Sequence, residues 1–102
     1  MNYRVLPEAD GEAIEAALWY EERRPGLGDE FLMELETGLS AIRSSHENLP
    51  VLEGYSGSHS IRRHLLKRFP YVVVIACRAT EVLVVAIAHA RRRPYFWLDR
   101  LN

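Results

Sequence analysis

The apolar residues of this chain change their spacing near its middle. Up to Ser45 they recur at helical intervals; beyond Ser60 they gather into short alternating or continuous blocks. Tyr3–Leu6 alternates apolar and polar residues and stops at Pro7, which predicts an edge or initial strand. A helix is expected from Glu8 to Arg23, with Pro7 suited to its first turn. At 100° per residue, Ala9, Ala13, Ile14, Ala16, Ala17, Leu18 and Tyr20 share one broad arc. Glu8, Glu12, Glu15 and Glu22 line the opposite, solvated side, with Trp19 in the middle of that stripe.

Pro25-Gly26-Leu27-Gly28 breaks this helix, and Gly28 or Asp29 is placed to cap a second. Phe31, Leu32, Leu35, Leu39 and Ile42 carry it to about Ser45, giving a helical hairpin. His46 to Ser60 is rich in Asn, Pro, Gly and Ser and reads as a loop, with Ser56, Ser58 and Ser60 as turn formers. Ile61–Leu66, Tyr71–Arg78 and Val82–His89 are dense in Val, Ile and Leu and read as strands. Their connections are too short for helical crossovers, so they form an antiparallel meander. Val82–Ala88 is apolar at every position, so both faces of that strand need cover. The hairpin supplies one. The chain's tail or another protein supplies the other, and the open face points towards a partner.

One α+β domain spanning 1–102 accounts for all of this. Cys77, the only cysteine, lies inside an apolar run, which fits a reducing compartment and excludes a disulfide within the chain. No signal segment is expected at the N-terminus, and no apolar stretch approaches the roughly 20 residues that span a bilayer. The expectation is a soluble, cytoplasmic protein.

The net charge of −1 hides an asymmetry. Residues 1–53 carry four basic side chains against twelve acidic ones, whereas residues 54–102 carry nine basic ones against Glu81 and Asp99. The second half alone has the balance of a polyanion binder. Eight of its nine cations are Arg62, Arg63, Lys67, Arg68 and Arg78 in the meander, then Arg91, Arg92 and Arg93 after His89. Arg62 and Arg63 point to opposite faces of their strand, so only one of them lines a given cleft. Arginine forks pair with phosphate and stabilise an oxyanion, and a histidine passes protons near neutral pH. A 2′-hydroxyl attacking its neighbouring phosphate needs those functions and no metal. The same residues equally suit a solvated positive face that pairs with the acidic half or with a partner.

Other chemistry is weakly supported. His46, His59, His64 and His89 lack metal-ligand spacing, and Gly26-Leu27-Gly28 lacks the strand and third glycine of a nucleotide loop. No metal or cofactor is expected. Trp19 either lies flat on its helix or anchors a partner. Tyr95, Phe96 and Trp97 either pack back on the core or stack on bases.

Several strings, taken in order, resemble the ParE/RelE toxin superfamily over nearly the whole chain. They are Trp19-Tyr20-Glu21, Gly28-Asp29-Glu30-Phe31-Leu32, Ile61-Arg62-Arg63, Arg68-Phe69-Pro70-Tyr71 and His89-Ala90-Arg91-Arg92-Arg93-Pro94, followed by Trp97 and Arg100. The resemblance, which extends to plasmid stabilisation proteins, implies a β-α-α-β-β-β fold with the helical hairpin on an antiparallel sheet. It also implies a type II toxin–antitoxin module, whose cognate antitoxin wraps the toxin with a helix and an added strand in a hetero-oligomer. ParE-like members inhibit DNA gyrase; RelE-like members cut messenger RNA on the ribosome with basic residues and a C-terminal tyrosine. Arg62 or Arg63 matches the family's strand arginine, and Arg91 the arginine after the last strand. Spacing puts Trp97, which transfers no proton, where a ribonuclease carries its tyrosine, and Tyr95 lies two residues away. With Lys67 the only lysine, the ParE-like branch is favoured. A ribonuclease would use His89, Arg91 and Tyr95, and Arg62, Arg63, Arg68 and Arg91–Arg93 would meet the target. A third reading is a module that binds antitoxin but has lost toxicity.

Overall fold

The computed structural model describes residues 2–52, 55, 57 and 59–101. In chain order it contains β1 (Asn2–Val5), α1 (Pro7–Arg23), α2 (Leu27–Ser45), a 3-10 turn (His46–Asn48), β2 (Ser60–Leu65), β3 (Tyr71–Arg78), β4 (Glu81–His89) and a second 3-10 turn (Leu98–Leu101). Ser56 and Ser58 lie outside the described residues, and Ser60 opens β2 rather than forming a turn.

The strands form one sheet in the order β1-β4-β3-β2. The meander is antiparallel as expected, but β1 joins β4 in parallel, pairing Asn2 with Glu81 through Val5 with Val84, so the sheet is mixed. The crossover from β1 is supplied by the hairpin itself. Pro7 ends β1 and starts α1, because its fixed φ suits the first helical position and its missing N–H is not needed there.

β3 shows how one apolar run serves two cores. Val73, Ile75 and Cys77 join the helices, whereas Val72, Val74 and Ala76 face the other way. β4 does the same with an irregularity: Ile75 pairs with Val84 but Val74 with Ala86, leaving Val85 as a bulge residue. The bulge carries β4's inward residues from Val82 and Val84 to Ile87 on the helix side. On the second face Trp97 is only 4% exposed and packs with Ile61, Val74 and Val85, joined by Leu6, Leu52, Tyr55, Phe96 and Leu101. The tail therefore covers the face that the sequence leaves open, and the need for cover there no longer points to a partner.

The arc of α1 is narrower than its sequence suggests. Ala9, Ala13, Ala16 and Ala17 are buried, while Ile14 and Leu18 are 53% and 59% exposed. Small side chains let the helix lie close to β4, and the contact centres on them, leaving Leu18 nearly opposite. Glu12 departs from its expected solvated stripe and points inward between α1, β4 and the tail. α2 starts at Leu27, ahead of the expected cap, because Gly26 takes the N-cap position with a φ of 90° that favours glycine.

Candidate functional site

A cavity of about 380 Å³ opens on the tail side of the sheet. Val72, Val74 and Ala88 form its floor, and Pro94, Phe96 and Trp97 form one wall. Arg63, His89, Arg92, Arg93 and Tyr95 supply its polar lining. Strand alternation places Arg63 here with Ile61, while Arg62 faces the opposite way, so one arginine of the pair lines the cleft.

The predicted cations divide by task. Arg62 donates to the carbonyls of Glu47 (3.1 Å) and Leu49 (2.7 Å), pinning the loop that follows α2. Arg68 donates to Glu30 at 2.7 Å, and its backbone N–H to Glu34 at 2.9 Å, tying the β2–β3 turn to α2. Arg92 lines the cavity but is also paired with Glu12 at 3.0 Å and stacked 3.7 Å from the Phe96 ring centre. Arg91 is exposed beside the cavity without lining it. Among the described residues, Arg63 and Arg93 line the cavity with no ion-pair partner, so their charge is available to a ligand. Much of the charge asymmetry is thus satisfied within the chain, where the acidic hairpin holds Arg68, Arg92 and Arg100.

His89 and Tyr95 share the cavity but are held differently. The backbone N–H of Arg91 donates to His89 Nδ1 at 3.1 Å. That bond needs Nδ1 unprotonated, which puts the proton of the neutral ring on Nε2. Tyr95 has φ 63°, the one non-glycine residue in left-handed backbone among those described. This conformation costs about 1–2 kcal/mol for an L-residue and marks a position held by its surroundings. Its carbonyl accepts from Leu98 N–H at 3.0 Å, and its ring lies 5.9 Å from that of Trp97. The cavity therefore offers two unpaired guanidiniums, an imidazole and a phenol above an apolar floor.

Trp19 stands on a second groove of about 230 Å³, beside Glu15, Tyr71 and Ile87. His89 and Arg92 line both spaces and form the ridge between them. The indole is 49% exposed and lies under the Arg23 guanidinium, 3.7 Å from its ring centre, so it rests on the helix surface while facing this groove. Sequence reasoning missed Glu12 and underused Arg100, which join in a bidentate ion pair at 2.9 and 3.0 Å. An acidic residue on a solvated stripe paired with the chain's last arginine carries no local signal.

Among the described residues, no group of His, Cys, Asp or Glu is arranged to hold a metal ion, and no helix is long and apolar enough to cross a membrane. Burial pushes the Cys77 thiol up, away from the thiolate that a nucleophile needs.

No protein-family model matches the sequence, and no curated protein matches it. Its structure is similar to a solved one described as the chromosomal ParDE TA system from P. aeruginosa, with a TM-score of 0.73 and 11% sequence identity. The match covers 87% of this chain and 95% of that one. The chain therefore shares the α+β fold of that ParDE structure, two helices on a four-stranded mixed sheet.

Proposed function

We propose that this protein is the toxin of a type II toxin–antitoxin module, of the ParE-like kind, acting on DNA gyrase in the cytoplasm and neutralised by a cognate antitoxin. The observation that carries the reading is the fold shared with the ParDE structure over 87% of this chain and 95% of that one. Trp97 supports the gyrase branch: it is a core residue at the place where a ribonuclease would need a proton-transferring tyrosine. The cavity also lacks lysine, since Lys67 is the only one and does not line it. Contact with a protein target asks only for a shaped, charged surface, which Arg63, Arg93 and the ridge provide.

A second reading, cleavage of messenger RNA on the ribosome, is favoured by one observation. The cavity gathers Arg63, Arg93, His89 and Tyr95, the residue types that a metal-free phosphodiester transfer uses. The test common to both is expression in bacteria. Growth should stop, and co-expression of an antitoxin encoded beside the gene should restore it. Sustained growth with soluble, folded protein would instead identify an antitoxin-binding module without toxicity.

A further inference from the structure

We infer that Glu12 is the positioning residue of the cavity: its carboxylate reaches from α1 to the tail and holds the cavity wall in place. The inference rests on taking the cavity as the working site. Glu12 Oε1 accepts from the Ile87 backbone N–H (3.1 Å) and Arg100 Nη1 (2.9 Å), and Oε2 from Arg92 Nη1 (3.0 Å) and Arg100 Nη2 (3.0 Å). A carboxylate has about four acceptor sites, so this one is filled. Its two guanidinium partners bracket the wall: Arg92 and Arg100 lie 3.7 and 5.1 Å from the Phe96 ring centre.

The cluster also closes the sheet. β1 pairs with β4 only as far as Val84, so the outer edge of Val85–His89 runs on past its neighbour. There Arg100 donates to the Val85 carbonyl at 3.0 Å and Glu12 accepts from Ile87, doing with side chains what a longer β1 would do with backbone. The Glu12 and Arg100 side chains are each 14% exposed and that of Arg92 is 48% exposed, so removing the carboxylate leaves a nearly buried Arg100 charge with no counter-ion, facing the more hydrated Arg92. The wall would loosen while the β3 core, buried on both faces by other residues, stays closed.

Glu12→Gln isolates this role. Glutamine keeps one oxygen for Ile87 but sets an NH₂ against Arg92 and Arg100. Hydrogen exchange should speed up on the order of tenfold or more at the amides of Arg92, Leu98 and Arg100, which donate to the carbonyls of His89, Tyr95 and Trp97. The β3 amides 72–76 should keep their wild-type rates. Growth arrest by the variant should weaken as well. Equal acceleration at every amide, or no change at Arg92, Leu98 and Arg100, would overturn the positioning role. Should Glu12→Gln fail to fold, Arg92→Ala keeps the Glu12–Arg100 pair and should loosen the same amides to a smaller degree; unchanged rates there would overturn the inference too. Exchange is read on the purified protein, so a wild type without toxicity would undo the functional reading while leaving this result to stand or fall alone.

Discussion

The carboxylate of Glu21, near the end of α1, caps α2 by accepting from the backbone N–H groups of Gly26 (2.9 Å) and Gly28 (3.0 Å). Neither Gly26 nor Leu27 can cap through a side chain, so the preceding helix supplies the acceptor that the free amides require. Glu21→Ala should lower unfolding free energy by about 1 kcal/mol, measured by urea denaturation at an unchanged m-value. Gly28→Ala should cost more, about 1–3 kcal/mol, because its Cβ would stand 2.5 Å from the Ala17 carbonyl and force the helices apart. A neutral Gly28→Ala would show that the hairpin has slack at this crossing.

The second core makes a contrasting prediction at adjacent aromatics. Trp97 is packed against Ile61, Val74 and Val85, so Trp97→Ala should cost about 3–5 kcal/mol. Tyr95→Phe removes only a hydroxyl from a partly exposed ring and should shift stability by less than about 0.5 kcal/mol. Thermal unfolding of the two variants side by side checks this. Comparable losses would mean that the Tyr95 hydroxyl has a structural partner.

Most of the fold was legible because its signals are local. The Pro7 start, the Pro25–Gly28 break and the two tight turns of the meander mark element ends within a residue or two. What was not legible depends on distant partners. Whether β1 runs parallel to β4 is decided by how the hairpin returns the chain, and periodicity is blind to it. Glu12 looked solvated because a helical wheel shows one helix, not the tail that folds across it. The site was half legible: alternation separated Arg62 from Arg63, but only the folded tail shows that Arg93 and Tyr95 meet Arg63 while Arg68 is held by α2.

Acid should release the β2–β3 turn from α2. The hydrogen bond from Arg68 holds the Glu30 carboxyl below its ordinary value, aided by the charge of Arg24. A depressed carboxylate contributes stability above its unfolded value and loses it as pH falls through the folded one. Glu30→Gln should therefore be less stable than wild type at neutral pH, with the gap closing as pH falls through and below the ordinary carboxylate range. Denaturation midpoints at low salt across that range test the sign. A gap that persists into strong acid would assign the Glu30 effect to packing.

The unpaired arginines should govern recognition of an acidic antitoxin. Arg63→Glu with Arg93→Glu reverses the cavity's free charge without touching the Glu12 cluster. Association should slow roughly tenfold or more at low salt, and its salt dependence should fall, since steering acts through encounter rates. Stopped-flow mixing with the antitoxin at several ionic strengths measures both. Unchanged rates would remove this face from the interface.

The gyrase and ribonuclease readings separate at the cavity's proton carriers. In a ribonuclease, His89 Nε2 and the Tyr95 hydroxyl would be the groups able to move protons, and Arg63 and Arg93 would hold the phosphate. His89→Gln or Tyr95→Phe should then lower single-turnover cleavage by roughly 10²–10⁴-fold, the range for positioned acid–base groups. Arg93→Ala should remove about 2–4 kcal/mol of transition-state stabilisation. Against gyrase no proton moves on the toxin, so the His89 and Tyr95 changes should leave inhibition near wild type, whereas reversing Arg63 and Arg93 should weaken it by altering the contact surface. The paired assays are message cleavage on purified translating ribosomes and supercoiling by purified gyrase. The expected result is inhibited supercoiling with intact message. Codon-positioned cuts that disappear with His89→Gln or Tyr95→Phe, beside unaffected gyrase, would make the protein an enzyme and give the left-handed Tyr95 its reason: a strained backbone that holds a phenol over the scissile phosphate.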